Sequence, residues 1–243
     1  MKLIKEQLFH QLCIKLKLSL QEEEELRFII AHIENHDEFQ KRLTDEFPHH
    51  GEKTLGEHIL TTAIVAYRMA KKKQVDLNTT LTIAMFHDLY TLPWQNSPIK
   101  DKNFSNKHGF RHPIEAIINS YVWFPDAYKD EEQARKIIDG IAHHMFPLPV
   151  TKWQNPTRDN PNPLELRNIE LLPQVKEPVI ELLTDTTSRG IIGEFSLGPA
   201  NTKEGRIVCI ADTIGSIKDI PLTDIDSLTA LLTGKNKGLA RKK

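Results

Sequence analysis

Cysteine is scarce in this chain. There are two in 243 residues, Cys13 and Cys209, far apart in sequence. That argues against a disulfide framework and against a thiolate zinc site, and it fits a reducing compartment. No apolar run approaches the roughly 20 residues that a membrane span requires. The first residues, MKLIKEQLFHQLCIKLKL, mix charge into their apolar positions too often for a secretory signal. Neither sign of charge dominates: 32 Lys and Arg against 33 Asp and Glu give a formal net charge of −1. No strong overall field therefore draws the chain to a nucleic-acid polymer or to a membrane. Convincing strand alternation, internal repeats and low-complexity tracts are missing as well. What remains is an ordinary apolar fraction, 39%, enough for a buried core. The expectation is a soluble cytoplasmic protein whose oligomeric state the sequence leaves open.

Helical periodicity fills most of the first half. Leu3, Ile4, Leu8, Leu12 and Leu16 share one face of a first helix. Ser19 is a cap for a second, with Glu22 to Glu25 at its positive end and a course that extends towards Leu43. Pro48 and Gly51 break the pattern. Thr54 opens a third helix that runs to Lys73, and Asn78 or Thr79 opens a fourth that ends near Leu89. Residues 90–111 read as a long loop. His112-Pro113 reads as a helix entrance, since proline is tolerated at the first helical position. Another helix spans roughly Asp130 to His144. The stretch MFPLPVTKWQNPTRDNPNP is irregular, and residues 164–183 are helix broken by Pro173 and Pro178. Residues 185–202 form a Gly-, Ser- and Thr-rich loop, and Glu204 to Lys218 the last core helix. The expected architecture is all-α, a single-domain helical bundle with long irregular loops. Residues 1–49 are a helical extension packed on the core, 50–220 the core domain, and 221–243 a basic tail.

Chemistry concentrates in apolar helical settings. His87-Asp88 ends the run LTIAMFHDLY, where a rigid element lets adjacent residues bind one ion. Asp88 follows Ala84 by four, and Asp212 lies among Ile207, Ile210, Ile214 and Ile217. A buried carboxylate is expensive unless it is paired or bound to a cation. His58 shares a face with Leu55, Thr62 and Val65. His143-His144 ends an apolar stripe through Ile137 and Ile141, and His112 opens its helix. A single histidine on an apolar face is more often a hydrogen-bonded core residue than a ligand. A second His-Asp doublet, His36-Asp37, lies among charges and reads as surface. The argument therefore rests on the ordered set. His10, His49, His50 and His108 have no strong case as ligands.

That set, His58, His87-Asp88, His112, His143-His144 and Asp212, resembles the HD-domain superfamily of metal-dependent phosphohydrolases. The stretches HDLYTLPWQ, HGFRHPIEAI, IAHHMFPLP and IADTIGSIKD are similar to a subgroup of small bacterial members of unassigned substrate. The resemblance covers roughly residues 50–220 and implies a helical bundle of the HD-domain type. It implies His58, His87, Asp88 and Asp212 as ligands of a first metal. In binuclear branches Asp88 bridges to a second ion held by His112 and by His143 or His144. Two departures argue against the cyclic di-GMP branch. The chain continues His143-His144 with MFPLP where that branch has its HHExxDGxGYP signature, and Thr91 stands where it carries a lysine.

Nitrogen and oxygen ligands without thiolate suit one or two divalent ions of Fe, Mn, Zn, Ni or Co. The expected activity is hydrolysis of a small phosphorylated metabolite, a nucleotide foremost, by metal-activated water, with the free oxygen of Asp88 taking the proton. Arg111, Lys107 and Lys102 are the cations best placed for an anionic substrate, with Arg189 a further candidate. Trp94 and Phe110 either stack on a base or anchor the loop. Two other readings share the ligands: a di-iron oxygenase and a metal-containing nucleotide sensor without turnover.

Overall fold

The computed structural model describes residues 2–49, 53–92, 107–154 and 170–216, with side chains from residue 7 onward. Nine helices lie among them: α1 (Lys2–Lys15), α2 (Leu20–Glu34), α3 (Asp37–Arg42), α4 (Leu55–Lys73), α5 (Leu77–Phe86), α6 (His108–Trp123), α7 (Glu131–Ala142), α8 (Glu177–Thr187) and α9 (Lys203–Ser216). Three two-residue strands, β1 (Val150–Thr151), β2 (Ile191–Ile192) and β3 (Phe195–Ser196), form one antiparallel sheet in the order β1-β3-β2. The fold is all-α, and the sheet is a small appendage.

Helix α4 is the axis. Its residues from Leu55 to Ala70 are buried on nearly every side, as expected of a helix that is apolar all round. Thr54 caps it by accepting from the Glu57 amide at 3.2 Å. The chain leaves it through Gln74 at a φ of 53°, beyond three lysines that suit the negative end. Helices α5 and α9 pack against α4, and α7 packs against α5, α6, α8 and α9. The first three helices join the same core: α1 and α3 lie on α4, and α2 on α5. No described helix is long and apolar enough to cross a membrane.

Three boundaries differ from the sequence expectation, each for a local reason. Helix α2 does not continue towards Leu43. Asn35 turns its side chain onto the Ala31 carbonyl at 2.8 Å, and His36 accepts from the Glu38 amide at 3.2 Å to start α3. These side-chain bonds compete with the helical ladder. Helix α6 begins at His108, one turn before the expected entrance, so Pro113 stands in its second turn. Proline there lacks the amide that would reach Gly109. Its neighbour His112 bonds the His108 carbonyl through Nδ1 at 3.0 Å. Pro178 starts α8 rather than interrupting a helix, and that helix runs on to Thr187. The hairpin within 185–202 and its partner β1 are too short to show alternation in sequence. Gly190, at a φ of 55°, permits the hairpin, because a Cβ there would meet the Leu197 carbonyl. The C-terminal tail and residues 217–218 lie outside the described residues.

Helices α7 and α9 cross at a glycine contact. A Cβ added to Gly205 would lie 2.8 Å from the Gly140 Cα and 2.7 Å from the Ala200 Cβ. Since α9 carries Asp212 and α7 leads to His144, this crossing sets the distance between two parts of the site. Gly205→Val is expected to destabilise the protein by about 1–3 kcal/mol through overpacking. Urea unfolding measures it, and an unchanged midpoint would remove the crossing from the account.

Candidate metal centre

Five helices and one turn deliver the site. His58 comes from the second turn of α4, and His87 closes α5 as its C-cap. Asp88 follows in the turn, His112 comes from α6, His144 from the end of α7 and Asp212 from α9. All six are buried.

The turn after His87 is braced from two sides. Asn119 of α6 donates to the Leu89 carbonyl at 2.6 Å and to the Thr91 hydroxyl at 3.0 Å. Arg42 of α3 reaches across to the Tyr90 carbonyl at 2.7 Å. Its guanidinium lies over the rings of Phe47 and Trp123, and a planar cation is suited to such stacking. The first helices of the chain thus help to aim Asp88.

The two oxygens of Asp88 face two different histidine sets. Oδ1 lies 3.1 Å from His112 Nε2 and 3.6 Å from His144 Nε2. Oδ2 lies 3.5 Å from His87 Nε2 and 3.6 Å from His58 Nε2. Asp212 Oδ1 completes the second group, 2.9 Å from His58 Nε2 and 3.6 Å from His87 Nε2. Both oxygens of Asp88, including the one expected to take a proton, therefore have imidazole nitrogens close by.

The chemistry of the donors fits divalent ions. His87 Nδ1 lies 2.7 Å from the Ala84 carbonyl, His112 Nδ1 3.0 Å from His108 O, and His144 Nδ1 2.7 Å from Ile141 O. A carbonyl accepts only from N–H, so these contacts assign the proton to Nδ1 and turn the Nε2 lone pair inward. The Nε2 atoms of His112 and His144 then meet at 3.1 Å, and facing lone pairs at that distance repel unless a cation or a proton serves them. The Nε2 atoms of His58 and His87 lie 3.2 Å apart. Burial pulls His87 down, but Asp88 and Asp212 outweigh it and push it up to about 9. Burial raises both aspartates, yet the surrounding imidazoles hold them well below the usual carboxylate range. Burial lowers His144, and His112 and His87 add to the shift. Among the described residues, His58, His87 and Asp212, and likewise His87, Asp88 and His144, have donor atoms close enough to hold an ion.

His143 is not part of this cluster. Its Nδ1 lies 3.1 Å from the Asp139 carbonyl and 3.3 Å from the Arg189 guanidinium. Asp139 ties the region together: its carboxylate accepts from Arg189 and, at 2.8 Å, from the Asn201 amide just before α9. Arg189 thus braces α7 and the end of α8, and through Asp139 the start of α9. Arg111 is paired as well. It is 1% exposed, pairs with Glu115 at 2.8 Å, and lies outside the cavity lining. Lys107 does line the cavity. Phe110 packs on Phe195 at 5.2 Å, holding the hairpin to α6. His36, the comparison doublet, caps α3 and packs on Phe124 away from the cluster. Lys102, Trp94 and His50 lie outside the described residues.

A cavity of about 650 Å³ opens onto the metal-facing side chains. Met145, Phe146, Pro147 and Leu148 line it, as do Tyr90, His108 and Lys107. Neither His49 nor His108, both on the cavity, stood out in sequence. Each lies in a polar stretch without apolar spacing, so periodicity gives no signal there.

A helical frame holding two histidine sets around a shared aspartate defines a metal-binding protein of the His/Asp type. The HD domain family matches residues 55–215, more than half of the chain, and the chain belongs to that family. The family is in general one of metal-dependent hydrolases. No curated protein and no solved structure gives a significant match.

Proposed function

We propose that the protein is a phosphohydrolase, a phosphomonoesterase or phosphodiesterase, that acts on a small phosphorylated metabolite such as a nucleotide. One observation carries the reading: a single buried carboxylate, Asp88, faces two imidazole sets and lines an open cavity. His58, His87, Asp88 and Asp212 would hold one divalent ion; Asp88, His112 and His144 would hold a second. When bound, such ions lower the pKa of water towards neutrality and polarise a phosphoryl oxygen. The residues of the chain do the rest. Carbonyl anchors fix three of the imidazoles before substrate arrives, so no reorganisation is needed. The lining residues Met145–Leu148 take the organic part of the substrate. Lys107 at the mouth meets an anionic group. A cavity of this size suits a metabolite rather than a polymer.

Metal analysis of the purified protein, followed by a phosphate-release screen over nucleotides and simpler esters, tests the proposal. The expected result is metal near one or two equivalents and phosphate release under argon. Turnover that requires oxygen would instead select the oxygenase, and metal well below about one equivalent would end both readings.

A further inference from the structure

His49 lies outside the residues that match the HD family, yet it reaches the metal-facing cluster. The segment before α4 is pinned back onto its start. Leu55 donates to the Phe47 carbonyl at 2.8 Å, His49 donates to the Lys53 carbonyl at 2.9 Å, and Pro48 bridges to Thr54. That closure sets His49 one turn from His58. The two rings stack, with centroids 4.2 Å apart and planes inclined by 26°. His49 lines the cavity with part of its ring, while both ring nitrogens are shielded from solvent. A nitrogen of His49, a nitrogen of His58 and an oxygen of Asp88 all lie within 4.8 Å of one another.

His58 itself lacks what the other cluster histidines have. Its Nδ1 is buried without a hydrogen-bond partner among the described residues, whereas His87, His112 and His144 each have a carbonyl there. The face of His58 is held by His49 instead. Donors to one ion, each about 2.1 Å from it, stand at most about 4.2 Å apart. The His49–His58–Asp88 group comes within that span by a ring movement of less than an ångström.

We propose that His49 is an additional protein ligand of the metal held by His58, supplied from outside the family domain. The inference rests on the reading that the cluster holds metal, and it goes beyond that reading in its consequences. The first ion then has five protein donors, His49, His58, His87, Asp88 and Asp212, and the second has three. The side of His112 and His144 would then have fewer protein donors and would be the side left for a substrate's phosphoryl oxygen. The segment before α4 becomes part of the centre rather than a support for it.

Cobalt(II) titration of the metal-free full-length protein tests this, with affinity from chelator competition and the visible absorption of bound cobalt as a second readout. His49→Ala removes donor and stack; His49→Phe keeps a stacking ring and removes the donor. Both are expected to weaken the tighter of two cobalt sites on the order of 10- to 100-fold and to alter its absorption, leaving the weaker site unchanged. If His49→Phe binds cobalt with wild-type affinity and spectrum, His49 only packs on His58 and the inference is overturned, whatever His49→Ala does. Should His49→Ala lose its circular dichroism, His49→Phe carries the test. If the wild-type protein binds no cobalt, the metal centre fails and the inference with it, a result distinct from unaltered binding in the variant alone.

Discussion

Replacing Asp88 with alanine is expected to lower turnover by about a thousandfold or more, equivalent to about 4 kcal/mol of lost transition-state stabilisation. The size follows from its position. Its Oδ1 faces His112 at 3.1 Å and its Oδ2 faces His87 at 3.5 Å, so one deletion strips both imidazole sets of their shared anion. Asp212→Ala strips only one, since the histidines that Asp212 approaches among the described residues are His58 and His87. Metal analysis should therefore show loss from both positions in Asp88→Ala and from one in Asp212→Ala. Asp88→Asn keeps the shape and serves if the alanine variant does not fold. His36→Ala is the comparison. It removes a cap, costing about 1 kcal/mol of stability, and should leave kcat and metal content at wild-type levels. Wild-type turnover in Asp88→Asn would take the bridging carboxylate out of the mechanism.

The contrast between the two His-Asp doublets shows what sequence could and could not supply. Both read HD. His87-Asp88 closes an apolar helix, and the turn that follows is held by Asn119 and Arg42 from elsewhere in the chain. His36-Asp37 lies among the charges of Glu34, Glu38 and Lys41, and its imidazole serves as a helix cap. Apolar spacing separated them because burying a carboxylate demands compensation, and spacing reports burial. The same logic located Asp212 and the helices α4, α5, α7 and α9 to within a few residues. It could not choose between His143 and His144, since neighbours at a helix end differ only in which way the chain turns. The structure sends His144 to Asp88 and His143 to Asp139.

The cations were the least legible part. Arg111 pairs with Glu115 one turn along the same helix, a local spacing hidden because residues 90–111 read as loop in the sequence. Arg189 pairs with Asp139, 50 residues away, and Arg42 reaches Tyr90 across 48 residues. Pairing at that separation leaves no local pattern. His49 was passed over for the same reason: its approach to His58 depends on a chain closure at Pro48 and Thr54 that no periodicity encodes.

Removing the metal is expected to lower the thermal midpoint by about 10 °C at neutral pH. An ion present at a thousand times its dissociation constant stabilises by about 4 kcal/mol, and each kcal/mol moves a chain of this size by about 2–4 °C. The effect should depend on pH with a definite sign. In the metal-free protein His87 is pushed up to about 9, above the ordinary value of about 6.5. A raised folded pKa contributes stability that is fully present below about 6.5 and is lost as pH rises through about 9. An ion needs the same nitrogen deprotonated, so it competes with that proton and binds more tightly over the same interval. The metal-free midpoint should therefore fall from pH 6.5 to 9 while the stabilisation by metal grows. The gap between chelated and loaded samples should widen with pH. Differential scanning calorimetry at pH 6.5, 7.5 and 9, with and without chelator, reads it directly. A gap that narrows or stays constant would mean that His87 keeps its proton beside the ion, and that the first site is built from His58 and the two aspartates without it.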